Sequence, residues 1–236
     1  MEVQVAVAKT HKYATSESGD TLEVIERPNG GLSVVLADGQ SSGPGAKAIS
    51  MMVVRKVLAL LSEGVRDGAA ARAASDALYT EKKGKVSCTL NIISVDLQSG
   101  TLVLTRNNPA PVFICREESI QRLEEPAPVI GTARNIRPSI TEFNLVPGLT
   151  LIVCTDGLIH AGSRYGRKPE IETTLRALFE ERQPAPQEIA DALMSLALTL
   201  DEGRPGDDIS IVVLSILSNG EDNIRRMSVR LPFRYP

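Results

Sequence analysis

Apolar residues recur along this chain with two different periods, and the switches between them mark out its elements. Val3, Val5 and Val7 alternate with smaller or more polar neighbours, the period-two signature of a half-buried strand. After a polar stretch at 10–20, strands are predicted over 22–26 and 32–37. Pro28-Asn29-Gly30-Gly31 between them reads as a hairpin turn, because Asn-Gly tolerates positive φ. The period then lengthens: Ile49, Met52, Val53, Val57 and Leu60 follow i, i+3, i+4 spacing and predict an amphipathic helix over 45–63. Asp67 is placed to cap a second helix through residue 79, with Ala70, Ala73, Ala74 and Ala77 as its inner face.

Period two returns at 86–96, 101–106 and 111–115, with shorter candidates at 120–123 and 140–145, before an apolar run from 149. Two more helices follow. Ile171, Leu175, Leu178 and Phe179 define one; Ile189, Leu193, Leu196, Ala197 and Leu200 define the other, with Pro184 and Pro186 breaking the chain between them. A last strand is expected at 209–217. Strands then a helix pair, given twice and closed by a strand, suit an α+β class with helices packed outside sheets rather than alternating βαβ units. Residues 1–217 read as one domain, and 218–236 as a tail or an extra strand packed on it, a partner-binding arm being the alternative.

Composition sharpens this picture little but excludes several classes. The 236 residues, 42% of them hydrophobic, are enough for one sizeable core. With 26 basic against 29 acidic residues and no long run of either sign, neither a nucleic-acid surface nor a membrane-docking patch is expected. No stretch approaches the ~18 to 20 apolar residues of a membrane span, and the N-terminal residues do not read as a signal sequence, so a cytoplasmic protein is expected. Cys88, Cys115 and Cys154 lie in apolar segments without CxxC spacing and read as buried thiols.

Candidate chemistry comes from three apolar runs tipped with aspartate. LSVVLADG ends on Asp38-Gly39 and LTLIVCTDG on Asp156-Gly157, while GDDISIVVLSIL begins with Asp207-Asp208. Strands buried in a sheet carry their end residues to the sheet edge, so these carboxylates are aimed from rigid supports at a shared cleft. Carboxylates that close together do not all stay ionised without cations. Aspartate oxygens suit Mg²⁺ or Mn²⁺, and two such ions hold an attacking hydroxide for in-line displacement at phosphorus. Asp38 is best placed to bridge two ions, and Gly39, lacking a side chain, lets its carbonyl approach one. Asp156 and either Asp207 or Asp208 complete one ion, and Asp20, just before the strand that pairs with 32–38, serves the other. Each Asp-Gly alone is as well explained by a turn. His11 and His160, the only histidines, read as surface or hydrogen-bonded structural residues.

The succession SGD, LADG, CTDG and PGDDISIVV over residues 3–217 resembles the metal-dependent protein phosphatase family (PPM, type 2C), in particular its SpoIIE-like branch. GPGA before the first helix, VSCTLNIISVD and TRNNPAPVFI fit the same pattern. The resemblance implies an αββα sandwich: two antiparallel sheets flanked by helix pairs, with two Mn²⁺ or Mg²⁺ ions at one end. It implies hydrolysis of phosphoserine or phosphothreonine without a covalent intermediate. Asp38, Asp156 and Asp207 would be the catalytic set, and Asp20, Asp38, Gly39, Asp156 and Asp207 the metal ligands, with Asp208 behind them.

Three departures from the family pattern stand out. Asp38-Gly39-Gln40-Ser41 replaces Asp-Gly-Met-Gly, Asn107-Asn108-Pro109 replaces Gly-His-Pro, and Asp156-Gly157-Leu158-Ile159-His160 replaces Asp-Gly-Leu-Thr-Glu. Gln40 stands where eukaryotic relatives carry a histidine general acid, work an amide does not do. CTDGLIHAG and NNPAPV, together with a first strand that starts at residue 3, resemble the stressosome feedback phosphatase type (RsbX-like). That likeness implies phosphorylated STAS-domain stressosome proteins as substrate and partner. The alternatives are a phosphatase of an anti-sigma-factor antagonist in the general stress response, and a non-catalytic binding module that keeps the sandwich.

Overall fold

The computed structural model describes residues 1–116, 119–180, 182–218 and 224–232. The strands are β1 (Glu2–Thr10), β2 (Asp20–Glu26), β3 (Leu32–Gly39), β4 (Cys88–Asp96), β5 (Thr101–Asn107), β6 (Val112–Arg116), β7 (Ser119–Leu123), β8 (Ser139–Asn144), β9 (Leu149–Cys154) and β10 (Ile209–Leu217). The helices are α1 (Gly43–Ser62), α2 (Asp67–Lys82), the single-turn α3 (Asp156–Ile159), α4 (Ile171–Phe179) and α5 (Pro186–Leu200). One sheet runs β1-β10-β9-β6-β7 and the other β2-β3-β4-β5-β8, every pairing antiparallel.

Alternating side chains explain the layering. In β3, Val34 and Leu36 join Val153, Val212 and Leu214 in the core between the sheets, while Val35 and Ala37 face α1 and α2. In β10, Val212 and Leu214 point inward and Ile211 and Val213 face α4 and α5. Burial on both faces is why these strands read as continuous apolar runs. The result is helices, sheet, sheet, helices, the predicted αββα sandwich.

The elements fall where periodicity puts them, with local differences. On α2 the buried alanines are Ala70, Ala71 and Ala74, with Leu78; the expected Ala73 and Ala77 are only half-buried. The helix sits rotated by part of a turn because Leu78, the one large apolar residue on that side, has to reach the core. Asp67 caps nothing: Arg66 occupies the cap position, and the Asp67 carboxylate is buried against Arg27 at 3.3 Å. Asp156, expected at a strand tip, is instead the first residue of α3, two positions beyond the end of β9.

Register places the site. Asp20 pairs with Asp38, and Asp38 with Thr89, at one end of the β2-β3-β4 ladder. Period two then puts Asp20 on the face of Leu22 and Asp38 on the face of Leu36, both turned toward the space between the sheets. Of the expected tail, residues 219–223 and 233–236 lie outside the described residues; 224–232 form neither helix nor strand. Arg225 donates to the Gly30 carbonyl at 2.8 Å and pairs with Glu26 at 3.0 Å, at the opposite end of the sandwich from Asp38. Among the described residues no helix is long and apolar enough to cross a membrane.

Candidate active site

A cleft of about 360 Å³ opens at the end of the sandwich where Asp20 and Asp38 pair, lined by Asp38, Gly39, Asp156, Asp207 and Asp208, with Lys12 the one basic side chain on its wall. Four separate stretches of chain deliver the carboxylates: the start of β2, the end of β3, the start of α3 and the turn before β10. Glycines make this convergence possible, for a reason the Asp-Gly words do not reveal. A Cβ on Gly39 would strike the Ala46 carbonyl of α1, one on Gly157 the Asp208 carbonyl, and one on Gly19 the Ala46 side chain. None of the three has positive φ, so each is glycine for close approach rather than for a turn.

Electrostatics show how crowded the acids are. Burial, with the neighbouring carboxylates of Asp20, Asp156 and Asp207, pushes Asp38 up to about 9. Burial pushes Asp20 up to about 6, partly offset by a hydroxyl from Ser210 and the charge of Lys9, and reinforced by Asp208. Asp156 is raised by burial and by Asp207, with His160 opposing. Among the described residues no three His, Cys, Asp or Glu side chains are drawn into a tight cage. The carboxyls of Asp38 and Asp20 nonetheless come within hydrogen-bonding range of one another, with Asp156 and Asp207 close enough to act on Asp38 through their charge.

Asp20 is fully buried, and its Oδ2 accepts from Ser210 Oγ at 2.6 Å and from Thr155 Oγ1 at 3.2 Å. Its Oδ1 has no hydrogen-bond partner. Two ammonium groups come close, yet both bind the backbone: Lys9 and Lys47 donate to the Asp20 carbonyl at 2.7 and 2.8 Å. A buried carboxylate with an orphaned oxygen, beside three more aspartates and no cationic side chain on the acids themselves, fits an oxygen-seeking divalent cation.

Asp208 plays another part. Its Oδ1 accepts the Lys12 backbone N–H and its Oδ2 the Gly19 backbone N–H, both at 2.8 Å, so it staples the loop between β1 and β2 to the start of β10. Asp207 is half-exposed, lines the cleft, and spends one oxygen on the Asp208 N–H at 2.9 Å. Gln40 is likewise engaged, its Oε1 accepting from the Ser87 N–H at 2.7 Å. Asn108, buried in the altered Asn-Asn-Pro stretch, donates to the Cys154 carbonyl at 3.1 Å and holds the Ala110 N–H at 2.9 Å, fastening that loop beside Asp156.

Sequence reasoning missed Ser210 and Thr155 as supports of Asp20, and Lys9 and Lys47 as clamps on its backbone. A usable signal existed for one of them: Ser210 is the polar residue on the inward face of β10, which Val212 and Leu214 otherwise fill. His11 is exposed, and His160, also exposed, opposes the rise at Asp156 and donates its backbone N–H to the Asp156 carbonyl at 2.9 Å.

Comparisons with known proteins agree with this architecture. A family model described as Stage II sporulation protein E (SpoIIE) matches residues 28–217. Curated relatives of that name from Priestia megaterium and from Bacillus subtilis (strain 168) are each 23% identical over 217 residues, 92% of this chain. The chain spans only 37% and 26% of their respective lengths. Among solved structures, the PP2C phosphatase domain of SpoIIE from Bacillus subtilis with a fragment of its regulatory domain superposes with a TM-score of 0.79 at 23% identity, covering 92% of this chain and 64% of that one. The catalytic domain of the serine/threonine phosphatase PstP, solved with two manganese ions, gives 0.70 at 19% identity over 92% of this chain and 99% of that one. The fold is that of PP2C phosphatases.

Proposed function

The chain belongs to the Stage II sporulation protein E (SpoIIE) family, and on that premise we propose that it is a metal-dependent protein serine/threonine phosphatase. The observation that carries this reading is the convergence of Asp38, Asp156 and Asp207 on one cleft, with the buried Asp20 paired to Asp38 behind its wall, crowded enough to push Asp38 up to about 9. Asp38, Asp156 and Asp207 form the reacting wall, and Asp20, Asp38, the Gly39 carbonyl, Asp156 and Asp207 hold two Mn²⁺ or Mg²⁺ ions. When bound, such a pair activates water and neutralises charge at phosphorus.

The chain's own residues do the remaining work. Ser210 and Thr155 fix Asp20 so that its second oxygen is presented without rotamer search. Asp208 holds the backbone of Lys12, and with it the ammonium that, among the described residues, alone lines the cleft wall, in place to face a phosphate. Gln40, an amide already bonded to Ser87, does not protonate the leaving oxygen; that proton comes from water.

For substrate, the reading is a folded protein bearing phosphoserine or phosphothreonine, specifically a phosphorylated STAS-domain protein of the stressosome. The altered Asn107-Asn108-Pro109 and Asp156–His160 stretches, which flank the cleft, support this narrower assignment. Incubation with Mn²⁺ and phosphorylated stressosome scaffold, beside a phosphorylated anti-sigma-factor antagonist, tests it. Phosphate release from the scaffold at the higher rate is the expected result. Preference for the antagonist moves the protein to the general stress pathway, and release from neither, with p-nitrophenyl phosphate intact as well, ends the phosphatase reading.

A further inference from the structure

Among the described residues, five that are not glycine hold the backbone at positive φ: Ala14, Ser41, Lys83, Asn135 and Glu202. Lys83 and Glu202 stand just past the ends of α2 and α5, where a left-handed residue is a common helix stop, and Asn135 is of a type that tolerates the conformation. Ser41, at φ 82°, has neither reason, and of the five it alone lines the acidic cleft.

The chain on either side explains why the turn falls there. β3 ends on Gly39, whose backbone lies so close to α1 that a Cβ would strike the Ala46 carbonyl, so the chain reverses over residues 40–43. Gln40 takes no part in the reversal. Its N–H donates to the Ser87 carbonyl at 3.1 Å and its Oε1 accepts the Ser87 N–H at 2.7 Å, which carries the β3-β4 ladder one residue past the Gly39–Cys88 pair. The reversal falls on Ser41 and Gly43, both at positive φ. Glycine adopts that conformation freely, whereas serine sets a Cβ against it. Strain of this kind, held at a cleft wall, points to a use for the side chain that bears it. Ser41 is exposed where Asp38 is half-buried and Gly39 buried, so its hydroxyl stands at the rim, outward of the aspartates, and among the described residues no protein group engages it.

We propose that Ser41 is a specificity-determining residue of this site: its hydroxyl hydrogen-bonds the main chain beside the phosphorylated residue of a protein substrate, and the left-handed turn is kept because it presents that hydroxyl. The inference rests on the phosphatase reading for what occupies the floor of the cleft, but it concerns a residue that holds no metal. A group at the rim meets what lies next to the phosphoryl group rather than the phosphoryl group itself. Main-chain amides and carbonyls are there in every protein substrate and absent from a small phosphoester, so Ser41 favours the first and is indifferent to the second.

The experiment follows hydrolysis of a phosphoserine peptide and of p-nitrophenyl phosphate in Mn²⁺, peptide binding by fluorescence anisotropy, and the melting midpoint in chelator. Ser41→Ala, which keeps the strain and loses the hydroxyl, should lower kcat/KM on the peptide roughly three- to tenfold, the worth of one hydrogen bond, chiefly through KM. Turnover of p-nitrophenyl phosphate should stay within about twofold of native. Ser41→Gly should show the same loss on the peptide while melting about 2 to 4 °C higher, because the turn is relieved. Ser41→Asn, which tolerates positive φ and keeps a hydrogen-bonding group, should retain most of the native rate on the peptide. A more stable protein that handles peptide substrates worse is an outcome that a merely structural serine does not produce. The proposal falls if Ser41→Ala and Ser41→Gly match native protein on the peptide, if Ser41→Gly melts no higher, or if both variants lose as much on p-nitrophenyl phosphate; none of these touches the phosphatase reading. Hydrolysis of neither substrate by native protein, with peptide binding still weakened by Ser41→Ala, ends the phosphatase reading and leaves Ser41 as a binding residue. Neither hydrolysis nor a change in binding ends both.

Discussion

The two ends of the β2-β3-β4 ladder each bury a carboxylate, and they solve the resulting problem differently. At the end near α2, Asp67 is 6% exposed and meets the guanidinium of Arg27 at 3.3 Å. Burial still raises its pKa, but a hydroxyl from Ser94 and the charge of Arg27 pull it back down. At the other end Asp20 and Asp38 face one another with Asp156 and Asp207 close by, and neighbouring acids drive Asp38 further up instead of restoring it. Lys9 and Lys47 stand within reach, yet bond to the Asp20 carbonyl. At one end the chain supplies Arg27 as counter-charge; at the other, among the described residues, no cationic side chain pairs with the carboxylates, and the proposed metal pair would supply it. A structural acid and a binding acid are told apart by whether the fold supplies the counter-charge.

Breaking the Asp38 end should have the largest effect. Asp38→Asn is expected to lower p-nitrophenyl phosphate turnover in Mn²⁺ by at least about 10³-fold, the upper range for removing one element of a preorganised electrostatic site. The same variant should be no less stable than the native protein in chelator, because it relieves crowding. In native protein, saturating Mn²⁺ should raise the melting midpoint: at a hundred times Kd the gain is about 2.7 kcal/mol, and Asp38→Asn should lose most of it. A native protein whose midpoint ignores Mn²⁺ would erase the distinction between the two ends.

The Asp67 end answers in stability rather than turnover. Arg27→Met leaves Asp67 buried without its partner, an arrangement that costs about 3 kcal/mol and roughly 6 to 12 °C of melting temperature in a domain this size. Activity per folded molecule should not change. The deficit should also depend on pH with a definite sign. A carboxyl whose folded pKa is raised above its ordinary 3.8 holds its proton more tightly folded than unfolded. Its contribution therefore favours folding below the unfolded value and is lost as pH climbs through the folded one. Removing Arg27 raises the folded value again, so the gap between variant and native is widest near neutrality and narrows as pH is lowered toward about 4. A gap that widens on acidification would mean that Arg27 does not act through the ionised Asp67 carboxylate.

Much of this contrast was legible in the chain, because local period records which face is buried. The strands of both sheets and both helix pairs follow from alternation and from i, i+3, i+4 spacing, and the acidic tips at Asp38, Asp156 and Asp207 follow from where apolar runs stop. What period does not record is the partner across space. Asp67 looked like a helix cap because Arg27 lies forty residues away in sequence. Gly39 and Gly157 read as turn residues or as metal-facing carbonyls, whereas a Cβ at either would meet a carbonyl of another element. The same blindness hid Ser210, whose hydroxyl matters only because β10 and β2 belong to different sheets that face each other at this end.

Ser210 supplies the finest cut between the two ends. Its Oγ lies 2.6 Å from Asp20 Oδ2, and with Thr155 it is the reason that oxygen is committed while Oδ1 is not. If Asp20 is only a buried acid satisfied by hydroxyls, Ser210→Ala costs stability and nothing else, as loss of any buried hydrogen bond does. If Asp20 is aimed at a cation, the hydroxyl orients a ligand, and losing such a support weakens metal affinity roughly tenfold or somewhat more. The Mn²⁺ concentration at half-maximal activity separates these outcomes: it should rise by about that factor in Ser210→Ala, with turnover at saturating Mn²⁺ close to native. Ser210→Thr, which keeps the hydroxyl on the inward face of β10, should restore most of the affinity. An unchanged Mn²⁺ dependence in Ser210→Ala would place Asp20 with Asp67, as a structural acid at the wrong end of the ladder.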